Sequence, residues 1–235
     1  MKKLLNVVVM MFSFLVFAGP KETGALLNAV QVNSANKYQQ GVLVGAGYGY
    51  QYNIGDYAQG GVVIWVTQDG LHGLVAAITD ASGPSGVKWE SATGTQPSNA
   101  TNNDPLPSST PSAPQAQYYS GYKNQQIILA KNNLTNFPAF KVAVDYRGGG
   151  YSDWFLPSSR ELSLMYAAEG IINSVSVQHG GTEMNGKTND TLKRYWSSRE
   201  NVDFPSYAWV LVFAYGNLHL ATKDFQFAVR CVRAF

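Results

Sequence analysis

The protein has a single cysteine, Cys231, in 235 residues, so no disulfide can form within one chain and packing alone must hold the fold. Charge is scarce as well: Asp, Glu, Lys and Arg make up 14% of the chain, 17 basic against 15 acidic. Two of the basic residues, Lys2 and Lys3, head an apolar run from Leu4 to Ala18. If that segment is removed on export, the balance is 15 against 15. A neutral, charge-poor domain lacks the broad positive field on which non-specific nucleic-acid binding rests, and nucleic acid is excluded as a main partner. No apolar run approaches the roughly 20 residues needed to cross a bilayer. The three histidines, His72, His179 and His219, show no ligand spacing, and the carboxylates are scattered. No metal, cofactor or acid–base pair is called for by the pattern, and the reading is that the chain is not an enzyme. Gly148-Gly149-Gly150 lacks the lysine and helix start of a phosphate loop and reads as a turn into Tyr151.

A basic start, a short apolar run interrupted by Asn6 and Ser13, and small residues at Val16 and Ala18 have the layout of a secretory signal peptide over residues 1–18, cut before Gly19. Export through the inner membrane of a bacterium, with no membrane span after cleavage, follows from it. Residues 19–55 mix Gly, Asn, Gln and Tyr without a period and read as a weakly structured lead segment. The remainder, 56–235, is long enough for one core. Fourteen Tyr, 23 Gly and ten Pro favour strands and turns, so the expected class is α+β, a β-rich single domain with two or three helices.

Val62–Val66 and Leu71–Ile78 are apolar runs around Gln68-Asp69-Gly70, the pattern of a hairpin whose first strand lies inside a sheet. Five prolines between Pro97 and Pro114 make residues 93–117 a long surface loop. A helix is expected over Asn124–Asn133. A second should start after Pro157, where Ser158 and Glu161 have capping-box spacing, Leu162, Met165 and Tyr166 share a side, and Gly170 ends it. Strands are expected at Tyr195–Ser198, Tyr207–Phe213, Leu218–Thr222 and Phe227–Val232, with Gly216-Asn217 turning between the second and third. On the last strand Cys231 shares a side with Val229 and Phe227, which makes it a small buried hydrophobe rather than a nucleophile. The sequons at Asn99, Asn133 and Asn189 are accidental in a bacterial protein.

Gly60-Gly-Val-Val-Ile-Trp-Val, His72-Gly-Leu-Val-Ala-Ala, Tyr151-Ser-Asp-Trp-Phe-Leu-Pro-Ser with Glu161-Leu162, Tyr195-Trp-Ser-Ser, Ala208-Trp209, Gly216 and Val229-Arg-Cys-Val-Arg-Ala-Phe follow one another over residues 55–235. In order and spacing they resemble the Legionella collagen-like protein C-terminal domain family. The resemblance implies an exported adhesin or surface protein attached to host or matrix glycans. Asp-Trp-x-Leu-Pro and Tyr-Trp-Ser-Ser are also similar to pieces of C-type-lectin-like and formylglycine-generating-enzyme-like folds, an analogy of fold and not of chemistry. The chain departs from these patterns in having no collagen repeat and none of the sugar-lectin triplets that hold calcium.

Trp154, Trp196 and Trp209 sit among apolar neighbours and are expected in the core. Arg230 and Arg233 are expected to satisfy backbone or a carboxylate such as Asp153. The local charge bias lies at Lys187, Lys193, Arg194 and Arg199, which face only Asp190 in that stretch. If this segment folds beside His219 and Lys223, the six side chains form a candidate clamp for sulfate or carboxylate groups of an acidic glycan, with weak single-site affinity strengthened in a homo-oligomer or by dense display. Two alternatives stand beside this binding role: a structural or assembly component of a surface appendage, and an enzyme acting on an extracellular polymer.

Overall fold

A computed structural model describes residues 51–91, 100, 120–131 and 133–235. The signal peptide, the lead segment up to residue 50, the Pro-rich loop apart from Ala100, and the sequon at Asn99 lie outside the described residues. The strands are β1 (Tyr57–Ala58), β2 (Gly61–Val66), β3 (Gly73–Ala76), β4 (Val87–Lys88), β5 (Arg194–Glu200), β6 (Tyr207–Val212), β7 (Asn217–Thr222), β8 (Gln226–Phe227) and β9 (Val232–Ala234). The helices are α1 (Ser120–Ala130), α2 (Pro138–Asp145), α3 (Ser159–Ala167) and α4 (Glu169–Gln178). The class is α+β, with three antiparallel sheets ordered β1-β2-β3-β9, β4-β8 and β5-β6-β7.

Val62, Val63 and Ile64 are buried on both faces, and β2 lies between β1 and β3 as its continuous β-branched run requires. The hairpin turn is longer than the sequence suggests. Gly70 takes φ +69° and its N–H donates to Thr67, while the Asp69 carboxylate accepts from the Leu71 N–H at 3.0 Å. Residues 51–55, read as part of a loose lead segment, are tied to this sheet. Tyr52 N–H donates to Gly70, Gly55 N–H donates to Val63, and the Tyr52 ring meets Phe235 edge-on at 4.6 Å.

Phe227–Val232 is not one strand. The chain leaves β4 after Phe227 and enters the first sheet at Val232, yet the side-chain alternation persists across the break. Phe227, Val229 and Cys231 point into one apolar cluster with Trp89, Phe140, Trp154 and Trp196. Ala228, Val232 and Ala234 point into a second with Leu162, Met165, Tyr195 and Leu211. Arg230, fully buried between them, donates to Asp80 at 2.6 Å and to the carbonyls of Ala77, Thr182 and Glu183. Arg233 pairs with Asp153 and lies 3.7 Å above the Tyr151 ring. Both arginines are structural, as expected.

Trp154 and Trp196 are core residues, and their indole N–H groups donate to Gly148 and Val87 carbonyls. Trp209 is only half-buried, beneath the Arg199 guanidinium at 5.6 Å, so the expectation of a core position does not hold for it.

The first expected helix runs earlier than read, as α1. The α3 capping box forms as its spacing requires: Glu161 N–H donates to Ser158 Oγ at 3.3 Å and Ser158 N–H to the Glu161 carboxylate at 2.7 Å. The same carboxylate accepts from Gly121 N–H, fixing α1 against α3. Gly170 does not end α3. The break is at Ala168, and Gly170 sits inside α4. Tyr166 is exposed at the rim instead of buried with Leu162 and Met165.

Candidate functional site

The three-stranded sheet sorts the predicted binding residues. In the β5–β6–β7 ladders Arg194 pairs with Val212, Trp196 with Val210, Val210 with His219, and Trp209 with Leu220. Side chains alternate, so Arg194, Val210, Val212 and His219 occupy one face. Trp209, Leu211, Leu218 and Leu220 occupy the other, which α3 covers in part.

Arg194 and His219 come together on the first face. The turn before β5 is built by Asp190, whose carboxylate accepts from the backbone N–H groups of Leu192 and Arg194. It also accepts from Arg194 Nε at 3.1 Å and Nη2 at 3.0 Å. Burial pushes the Asp190 carboxyl up, but the hydrogen bonds and charge of Arg194 outweigh it and hold the pKa below the ordinary value. The guanidinium carbon lies over the Phe227 ring, 4.5 Å from its centre. Beside it opens a cleft of about 150 Å³ with Val210 and Val212 on its floor and Leu192, Tyr215 and His219 at its sides. Tyr215 is 65% exposed.

The other four residues are placed elsewhere. Arg199 reaches Trp209 and so lies on the opposite face of the sheet from Arg194. The two arginines cannot grip one sulfate. Lys193, at φ +50°, pairs with Glu169 of α4 at 3.4 Å. Lys187 lines a separate shallow hollow with Pro84, Asn185 and Thr191. Lys223 is a correction to the expected clamp: it is buried at 4% exposure. Its ammonium pairs with Glu90 at 2.8 Å and with Glu200, and lies 4.4 Å from the Trp89 ring centre. A cation neutralised by two buried carboxylates offers nothing to a surface anion.

Tyr215 and Phe227 belong to the cleft and were not singled out from sequence as site residues, while Asp190 lines the neighbouring hollow with Lys187 and acts on the cleft only by fixing Arg194. Asp190 stands four residues before Arg194, a spacing that hints at a local pair, but Tyr215 and Phe227 reach the cleft only through β6–β7 and β8 pairing. Chemically the cleft offers a fixed planar donor, an imidazole, a phenol and an apolar floor, a set suited to one ring bearing hydroxyl or carboxylate groups.

Burial also acts on two titratable groups away from the cleft. Burial pushes the Cys231 thiol far up and does the same to the Tyr195 phenol, which donates to Asp80 at 3.1 Å. Among the described residues no group of three or more His, Cys, Asp or Glu side chains is placed to hold a metal ion, and no helix is long and apolar enough to cross a membrane.

The family described as the Lcl C-terminal domain matches residues 83–233. Among solved structures the chain is similar to a fimbrial protein from Bacteroides ovatus, at 17% identity and a TM-score of 0.51, over 84% of this chain and 48% of that one. The chain thus spans about half the length of that protein, and at this identity the likeness is one of fold. No curated protein matches the sequence.

Proposed function

Because the chain belongs to the Lcl C-terminal domain family, we propose that it is a surface-displayed, adhesin-like domain that binds glycans, seating one sugar residue in the cleft of Arg194, Tyr215 and His219. Binding, not turnover, is the proposed activity. The observation that carries this reading is the guanidinium fixed by Asp190 beside an exposed tyrosine. Preorganised in this way, the arginine donates to a hydroxyl or carboxylate with little further ordering, while the phenol supplies a surface against which a pyranose can stack. One guanidinium already shared with Asp190 favours a neutral or singly acidic residue over a densely sulfated one.

A glycan array on the exported protein, repeated with Tyr215→Ala and Arg194→Lys, tests the proposal. Tyr215→Ala should lower affinity roughly tenfold, about 1.4 kcal/mol, with little change in thermal stability because the ring is mostly in solvent. Unchanged binding by both variants would remove the cleft as the site. The fold shared with the fimbrial protein favours a second reading, a component of a surface appendage; under it the wild-type protein retains no glycan.

A further inference from the structure

Among the described residues the outer sides of β5 and β9 are covered, and that of β7 is not. The free side of β5 is occupied by the Phe227–Arg230 crossing, where Trp196 N–H donates to Ala228 and Ala228 N–H to Arg194. The outer side of β9 is bridged by Phe155, which exchanges both backbone hydrogen bonds with Val232. By contrast β7, from Asn217 to Thr222, meets no strand on its far side among the described residues.

Ladder parity fixes what that edge presents. Lys223 N–H donates to Ser206 O at 3.1 Å, and Asn201 N–H donates to Tyr207 O on the other side of β6. The odd-numbered residues of β7 therefore bond to β6, and Leu218, Leu220 and Thr222 turn their N–H groups outward. The Leu218 and Leu220 carbonyls point the same way, while that of Thr222 accepts from Phe225 N–H. The guards that sheet edges ordinarily carry are missing here. The strand reads Asn-Leu-His-Leu-Ala-Thr, with no lysine, proline or charge, and pairs with β6 without a bulge. Leu218 and Leu220 are each 39% exposed.

We propose that two copies of this chain join through their β7 edges, antiparallel about a twofold axis, so that the two three-stranded sheets become one continuous sheet. Leu218 lies opposite the second copy's Leu220, and vice versa, which satisfies all four outward N–H and C=O groups of those leucines in each pair and matches apolar with apolar side chains. No like charges meet, since the strand has none. His219 falls on the axis, on the opposite face from the leucines, and each His219 also lines a cleft. The dimer thus sets two clefts side by side on one face; only this last consequence rests on the glycan reading.

Sedimentation equilibrium of the exported full chain should show a reversible monomer–dimer equilibrium, and Leu218→Lys should shift it to monomer with an unchanged melting temperature in dilute solution. His219→Cys should cross-link across the axis under mild oxidation, because opposed residues of a non-hydrogen-bonded antiparallel pair stand at a separation a disulfide accepts; Cys231, buried, does not compete. A wild-type protein that stays monomeric up to about 1 mM, the weak limit for a specific complex, overturns the proposal. So does cross-linking of His219→Cys no greater than that of Thr191→Cys, an exposed position off the edge. On a dense glycan surface Leu218→Lys should lose avidity while keeping its affinity for a monovalent sugar, since Leu218 does not line the cleft. A dimer that forms but binds no glycan removes the functional reading and leaves the dimer standing.

Discussion

Lys223 holds two carboxylates on one ammonium inside the protein, with Glu90, Lys223 and Glu200 at 6%, 4% and 1% exposure. Removing the lysine leaves two buried anions side by side, and Lys223→Met should cost about 3 to 5 kcal/mol, read as a lower urea midpoint at unchanged slope; a loss under about 1 kcal/mol would mean that water already reaches the cluster. The residue could not be read as buried from sequence, because its partners stand 133 and 23 positions away and only the fold brings them together. Arg194 and Arg199 are a different case. They are an odd number of positions apart on one strand, so alternation alone separates them, and that signal was available. Cys231 was legible for the same reason: its neighbours two and four residues back are apolar, and all three enter one cluster.

At the level of elements, local chemistry was readable and tertiary overrides were not. The Ser158–Glu161 box fixes the start of α3 by itself. Where α3 ends depends on Ala168, whose N–H reaches back to Leu164 and Met165 while the chain resumes as α4. A glycine just beyond a helix suggests a stop, yet Gly170 takes helical geometry and an added methyl there would meet nothing within 4 Å. Gly170→Ala should therefore stabilise the protein by about 0.5 to 1 kcal/mol. Gly149 is the opposite case, with φ +63° and an added Cβ only 2.2 Å from the Gly60 Cα. Gly149→Ala should lower stability by more than about 1 kcal/mol. Thermal melts of the two variants should move in opposite directions, and a shift of the same sign in both contradicts the placement of these backbones. The α2 helix went unread because it opens with Pro138 directly after a 3-10 turn at Leu134–Asn136 and spans only eight residues, too short for its apolar period to stand out.

On the scale of the whole molecule, the class, the family and the central position of β2 were legible, whereas the division of the nine strands of the described residues among three sheets was not, since it is set by pairings such as β3 with β9 that join distant parts of the chain. That pairing also bears on where the folding unit begins. The family match starts at residue 83, but β9 hydrogen-bonds to β3 at residues 74–76, and Val62, Ile64, Leu74 and Ala76 fill the cluster that α3 closes. A fragment of residues 83–235 should fail to fold cooperatively, while the chain from residue 51 onward should unfold in one transition in urea. A sharp transition in the shorter fragment, followed by circular dichroism, would separate the first hairpin from the core.

The alternation that carries Phe227, Val229 and Cys231 to one cluster and Ala228, Val232 and Ala234 to the other has a consequence for how the protein tolerates changes of length. Deleting or inserting a single residue between Phe227 and Val232 would exchange the two sets, send Arg230 into apolar packing and strip Asp80 of its cation. Substitutions here are local losses, but a one-residue shift rewrites both interiors at once. Natural variants of this domain should therefore hold the spacing from Phe227 to Ala234 constant, whatever their lengths elsewhere.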